Sequence, residues 1–159
     1  MKNLITKRKK ILEIRNQFKT ENKKVVFTNG CFDILHPGHV DYLNEAKACG
    51  DVLIVALNSD ESVTRIKGTK RPILSLKERA YIIGNLKAVD YVTYFDEDTP
   101  LEIISELIPD YLVKGEDWDI DKIVGREIVE QNGGEVKRIK FVSNTSTTDI
   151  INTIIERYK

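Results

Sequence analysis

Apolar and polar positions alternate between two periods along this chain. Ile11, Ile14 and Phe18, among many charges, have helical spacing, so residues 3–19 read as an amphipathic leading helix. Val25–Thr28 is a short β-rich run ending at Asn29-Gly30. Pro37 suits a first helical position, and the helix it opens runs to a stop at Gly50. Val52–Leu57 is continuously apolar, as in a parallel strand covered on both faces. Ser75 and Glu78 form a capping box for a helix to about Leu86, and Val89–Phe95 is a third strand. Thr99 and Glu102, with Pro100 between them, predict another boxed helix, ending at Pro109. Tyr111–Lys114 is a fourth strand, Ile120–Gln131 a helix stopped by Gly133-Gly134, and Val136–Val142 a fifth strand. Ser146-Thr147-Thr148 cap a last helix with an apolar stripe from Ile150 to Tyr158.

Strands that alternate with helices imply right-handed crossovers. The expected fold is a Rossmann-like, doubly wound, five-stranded parallel sheet with helices on both faces. The expected organisation is a single domain over 1–159, with 1–22 as the leading helix and 23–159 as the α/β core. Ligands of such sheets bind beyond the carboxyl ends of the strands, so chemistry is sought after each strand.

Composition narrows the classes. The 159 residues are 41% apolar and 31% charged, which excludes disordered and collagen-like chains. Twenty-five basic residues balance twenty-five acidic ones, so a bulk basic surface for nucleic acid is not indicated. The run Lys7–Lys10 reads first as a solvated helix face, with a phosphate or RNA contact as the rival. Two cysteines make neither a disulfide framework nor a zinc pattern. No apolar run approaches a bilayer span, and the charged start lacks a signal-peptide core, so a cytoplasmic protein with reduced thiols and no membrane partner is expected.

The segment after the first strand, Asn29 to His39, holds both histidines of the chain, His36 and His39, at a predicted helix start. The helix dipole favours an anion there, imidazoles add donors, and Gly38 admits a phosphate close to the backbone. Two histidines alone are too few for zinc, and no metal site is expected in the protein itself. Cys31 reads as a pocket wall rather than a nucleophile. After the second strand lies a basic loop including Lys67 and Arg71; after the fourth, Gly115, Asp117 and Trp118, suited to a ribose and base; after the fifth, the hydroxyls of Ser146, Thr147 and Thr148 at a helix start, a second anion site. Walker and GxGxxG signatures are missing.

His36-Pro-Gly-His39 after Asn29-Gly-Cys-Phe-Asp33, with Ser146-Thr-Thr148 near the end, resembles the HxGH nucleotidyltransferase superfamily. The segments NSDESVTRIKGTKRPI, FDEDTPLEII, PDYLVKGEDW and STTDII make it most similar to the heptose 1-phosphate adenylyltransferases of ADP-heptose synthesis. The resemblance covers about residue 10 to the end. It implies transfer of an adenylyl group from ATP to D-glycero-β-D-manno-heptose 1-phosphate, with Mg²⁺ and loss of pyrophosphate. His36, His39 and Lys67 would be catalytic. Asn29, Gly30, Cys31, Phe32, Gly38, Gly115, Asp117, Ser146, Thr147 and Thr148 would bind the nucleotide, and Asp33 and Arg71 the acceptor. A homo-oligomer is implied too, as is a separate kinase supplying the acceptor. The cytidylyltransferases of the superfamily carry an arginine before the Ser-Thr-Thr that this chain lacks, which leaves CTP and a polyol phosphate such as glycerol 3-phosphate as the alternative.

Overall fold

The computed structural model describes residues 5–140 and 145–159. Its five strands are β1 (Val25–Gly30), β2 (Val52–Asn58), β3 (Tyr91–Phe95), β4 (Tyr111–Gly115) and β5 (Glu135–Ile139). They form one parallel sheet in the order β3-β2-β1-β4-β5. The helices are α1 (Arg8–Thr20), α2 (Pro37–Ala48), α3 (Asp60–Lys67), α4 (Leu76–Gly84), α5 (Leu101–Leu107), α6 (Arg126–Gln131) and α7 (Thr147–Tyr158). The chain winds outward from β1 to β3, crosses back to β4 and winds the other way, so the switch point lies between β1 and β4. The Rossmann-like reading of the sequence therefore holds.

Every residue of β2 is buried, which explains its uninterrupted apolar run. Two clusters cover the sheet. Leu43, Leu53, Val55, Ile83 and Val92 lie in one, and Phe27, Ile54, Ile103, Leu112 and Val129 in the other. Alternate residues of β1 and β2 feed opposite faces, as the period of two requires. Among the described residues, no helix is long and apolar enough to cross a membrane.

Several local expectations are corrected. The leading helix begins at Arg8, not near residue 3. Ile5 instead pairs in parallel with Val92, and the Thr6 amide donates to the Val92 carbonyl at 2.7 Å. Within the Lys7–Lys10 run, Arg8 is held by Glu97, Glu102 and Glu106. The stretch after β2, read as a loop, folds as α3. Ser59 caps it, and Asp60 and Glu61 complement its dipole. Thr99 makes no cap; Pro100 occupies the N-cap position of α5. The helix expected over 120–131 is split into a 3₁₀ turn at Ile120–Lys122 and α6, because Gly125 takes φ 86° between them. The fifth strand starts one residue early and ends at Ile139; the predicted Phe141 and Val142, and the loop residues Ser143 and Asn144, lie outside the described residues.

Candidate active site

The β1–β2 ladder runs through six residue pairs to Gly30 and Leu57, whereas β1 and β4 pair only at Val26–Tyr111 and Phe27–Leu112. Beyond Leu112, side chains bridge the gap. The Thr28 hydroxyl donates to the Val113 carbonyl at 3.0 Å, and the Tyr42 hydroxyl to the same carbonyl at 3.1 Å. The switch point is thus an opening between two strand ends, and the groups singled out above surround it.

The β1–α2 turn is the most constrained part. Phe32 takes φ 46°, a left-handed conformation uncommon for a bulky residue, and such strain persists only where the surroundings enforce it. Gly30 makes it possible: a Cβ there would sit 2.8 Å from the Phe32 ring. Phe32 in turn packs edge-on to His39, with ring centroids 5.1 Å apart. His36 is the N-cap residue of α2, and its ring stacks on His39 at 3.7 Å. Burial lowers the pKa of both imidazoles. For His39 the value falls to about 4, with His36 adding to the effect; at His36, Asp149 pulls the other way. Both rings are therefore neutral at pH 7. Each keeps a buried Nδ1 with no hydrogen-bond partner among the described residues, a cost that a bound ligand would recover.

Asp33 was expected at the acceptor, but its side chain is 0% exposed. Its carboxylate accepts from the amides of Ile73 and Leu74 at 2.9 Å and from the Arg71 guanidinium. Burial would raise its pKa; those two amides and Arg71 outweigh it and hold the carboxyl below its usual range. In this structure Asp33 holds the turn, and Arg71, expected beside it as an acceptor contact, pairs with Asp33.

Sequence reasoning missed Arg79 altogether. It is 0% exposed and donates to the carbonyls of Cys31 at 2.7 Å, Asn58 at 2.9 Å and Leu74 at 3.0 Å, and to Asp60 Oδ1 at 2.7 Å. One guanidinium thus ties the ends of β1 and β2 to α3 and α4. The only signal was an arginine on the buried stripe of a predicted helix, between Leu76 and Ile83.

Lys67 ends α3, exposed, and its charge is felt at the Cys31 thiol. Burial raises the thiol pKa against the pull of Lys67, Arg79 and Arg71, as suits a pocket wall. Cys31 approaches Asn58 Oδ1 at 3.9 Å. Gly38 is buried in the first turn of α2. At the start of α7, Ser146 and Asp149 form a full capping box, so the acid after the hydroxyls is spent on the Ser146 amide and hydroxyl. The Thr147 hydroxyl reaches the Ile34 carbonyl at 3.4 Å and brings α7 to the β1–α2 turn; Thr148 is exposed. Gly115 closes β4, and the exposed Asp117 follows it. Asn29 lies across from them on β1 and meets Lys114. A depression lined by Phe18, Lys23, Asp51, Val52, Asp90 and Tyr91 opens at the amino ends of β2 and β3, away from all these groups.

Residues 27–154 match the cytidylyltransferase-like family model. The chain belongs to the cytidylyltransferase-like family. The resemblance drawn from the paired histidines and the Ser-Thr-Thr run is thereby borne out. Among curated relatives, the chain is 55% identical over 139 residues to the bifunctional protein HldE of Citrifermentans bemidjiense, covering 87% of this chain and 28% of that one. It is 51% identical over 150 residues to HldE of Wolinella succinogenes, covering 94% and 31%. The chain spans about three tenths of the length of the curated relatives it matches. The lipopolysaccharide core biosynthesis protein of Thermoplasma volcanium superposes with a TM-score of 0.63 at 32% identity, covering 77% of this chain and 99% of that one. Pantoate-β-alanine ligase from Francisella tularensis, solved with β,γ-ATP and β-alanine, shares the fold at 18% identity, with a TM-score of 0.60 and coverage of 96% and 78%.

Proposed function

We propose that this cytidylyltransferase-like chain is an adenylyltransferase that joins ATP and D-glycero-β-D-manno-heptose 1-phosphate, giving ADP-heptose and pyrophosphate. The observation that carries the reading is the stacked His36–His39 pair at the start of α2, with two unpartnered ring nitrogens beside an open switch point. The high identity to HldE over most of the chain, and the Thermoplasma structure assigned to lipopolysaccharide core biosynthesis, support the sugar.

The reaction is an in-line displacement. An oxygen of the acceptor phosphate forms a bond to the α-phosphorus of ATP, and the bond from that phosphorus to the bridging oxygen of pyrophosphate breaks. A phosphate dianion is already nucleophilic, so no general base is needed, and catalysis is positioning plus stabilisation of the charge that develops. His36, His39 and the start of α2 face that charge. Lys67 adds a cation from the end of α3, and the start of α7, with Thr147 and Thr148, takes the outer phosphates. Gly115 and Asp117 lie where ribose and base would be held.

The expected Mg²⁺ fits this chain only as part of its substrate. Among the described residues, no three His, Cys, Asp or Glu side chains gather into a cage, and Asp33 is consumed by Arg71 and two amides. The ion would enter on the ATP phosphates, with water completing its shell.

The test is pyrophosphate release from each of four nucleoside triphosphates against a panel of sugar and polyol phosphates. The expected result is turnover of ATP with the heptose phosphate and much less with CTP. Comparable kcat/KM for CTP with glycerol 3-phosphate would replace the substrates while keeping the chemistry.

A further inference from the structure

Lys114 has no part in the reaction as described above, yet its placement is unusual for a lysine. It is the fourth residue of β4, only 8% exposed, at the switch point itself. Its ammonium donates to Asn29 Oδ1 across the opening between β1 and β4 and lies 5.8 Å from the centre of the Trp118 ring. Among the described residues, no carboxylate forms an ion pair with it. Arg138, its register partner on β5, is another cation, turned to the Trp118 carbonyl at 3.3 Å. Tyr42 of α2 reaches the neighbouring Val113 carbonyl as a neutral hydroxyl, and Glu116 and Asp117, next along the chain, are exposed.

A buried ammonium with one neutral acceptor is costly, and an apolar side chain of similar length would fill the space more cheaply. The charge is nonetheless held by Asn29 where open α/β sheets bind their ligands. We propose that Lys114 is a ligand-binding cation: oriented by Asn29, its ammonium takes a phosphoryl oxygen of one of the two substrates. This assignment rests on the adenylyl-transfer reading. The phosphoryl oxygen belongs either to ATP or to the acceptor phosphate, and the experiment separates them.

Burial lowers the Lys114 pKa to about 8, so at pH 8.5 most of the ligand-free protein carries a neutral amine there. An anion placed against it restores the charge, and binding takes up protons. At that pH the imidazoles and the phosphates no longer titrate. Calorimetric titrations in two buffers of different ionisation enthalpy, with Mg²⁺-ATP alone and with the heptose 1-phosphate alone, therefore read Lys114. The expected result is uptake of a large fraction of a proton in one of the two arms, which names the ligand. Lys114→Met should abolish that uptake and weaken the same ligand about 10–100-fold. Lys114→Arg should restore binding with no uptake, because its charge is permanent. That last variant carries the test should the methionine variant not fold.

Uptake in neither arm of the wild-type titrations, or unchanged uptake in Lys114→Met, overturns the assignment. Turnover measured in parallel keeps the two readings apart. Turnover without proton uptake removes Lys114 and keeps the reaction. Proton uptake on ATP without turnover of any sugar phosphate keeps Lys114 and removes the reaction.

Discussion

The two strands that frame the switch point end in different ways. β1 runs into a turn braced from elsewhere in the fold: Asp33 is held by Arg71 and two amides, the Cys31 carbonyl by Arg79, and the Phe32 ring packs on His39, while the two histidine Nδ1 atoms stay open to a ligand. β4 runs into Glu116–Asp119, an exposed stretch, and then into a 3₁₀ turn; the edge strand β5 has no fully buried residue, and α7 buries none either. A group whose position decides a rate must be held within a fraction of an ångström, and only the β1 side supplies such bracing. The β4 side suits recognition, where local adjustment costs little. On this view the rate resides in β1–α2, and affinity for the ligands is spread over β4, β5 and α7.

The largest loss of stability should come from removing the brace itself. Arg79→Met leaves the carbonyls of Cys31, Asn58 and Leu74 without the Arg79 donor and leaves Asp60 tied to α4 by the Leu76 amide alone. Breaking a buried charge pair costs about 3–5 kcal/mol; because Asp60 retains some solvent access, a loss near the lower end is expected. Urea unfolding measures it. Trp118→Ala on the β4 side is the matched control. That side chain is 49% exposed, and its loss should cost less than about 1 kcal/mol. Equal losses at the two sites would erase the asymmetry.

Next is catalysis. His39→Ala should lower kcat by about 10²–10³, roughly 3–4 kcal/mol, the scale for removing one group that stabilises transition-state charge. ATP affinity should change far less, since only charge that develops in the reaction is lost. Single-turnover kinetics beside calorimetric ATP binding separates these. A hundredfold rise in the ATP dissociation constant at constant kcat would make the histidine a ground-state anchor and move recognition to the β1 side. His36→Ala should act similarly, with a double mutant short of additive if the stacked rings serve one phosphate.

A smaller effect follows from the lowered pKa of His39. Its value is about 4 when folded and near 6.5 when unfolded, so between those limits the unfolded chain binds more protons. The contribution is complete above pH 6.5 and is lost as pH falls toward 4. Partial solvent access limits it to at most about 2 kcal/mol. Urea midpoints between pH 7 and 4 should fall less steeply in His39→Asn than in the wild type. Parallel slopes would show that the ring is not enclosed as the turn suggests.

What the sequence revealed and what it hid follow the range of the interactions involved. The capping box at Ser75, the cap at Ser146 and the proline start of α2 are rules of three or four residues, and all three appear where the pattern placed them, whereas the box expected at Thr99 does not form. The burial of β2 is equally local, since an all-apolar run has nowhere else to go. The histidine pair was legible because a single turn holds it. Arg79 and Lys114 were not, because their partners lie up to 48 and 85 residues away; the one local mark was the place of Arg79 on the stripe between Leu76 and Ile83. Asp33 and Arg71 were noticed singly and assigned to a ligand; that they satisfy each other across 38 residues is a property of the fold. α3 was missed although its signals were present. Ser59, Asp60 and Glu61 make a good start, but the basic run after Thr64 drew attention as a loop.

The smallest effect tests the other end of the comparison. Ser146 holds the start of α7 through its capping box, accepting from the Asp149 amide at 3.1 Å while Asp149 accepts from the Ser146 amide at 2.9 Å. Ser146→Ala should cost about 1 kcal/mol of local helix stability. Because α7 buries no residue, little of that loss should reach global unfolding, and the melting temperature should hardly move. Amide exchange over residues 147–150 should instead quicken several-fold. The start of α7 touches the β1–α2 turn through Thr147 and Ile34, so fraying there loosens the proposed hold on the outer phosphates without disturbing the braced histidines. KM for ATP should rise several-fold at nearly constant kcat. A fall in kcat approaching that of His39→Ala would place α7 in the rate-determining machinery, and the division between a rigid β1 side and an adaptable β4 side would fail.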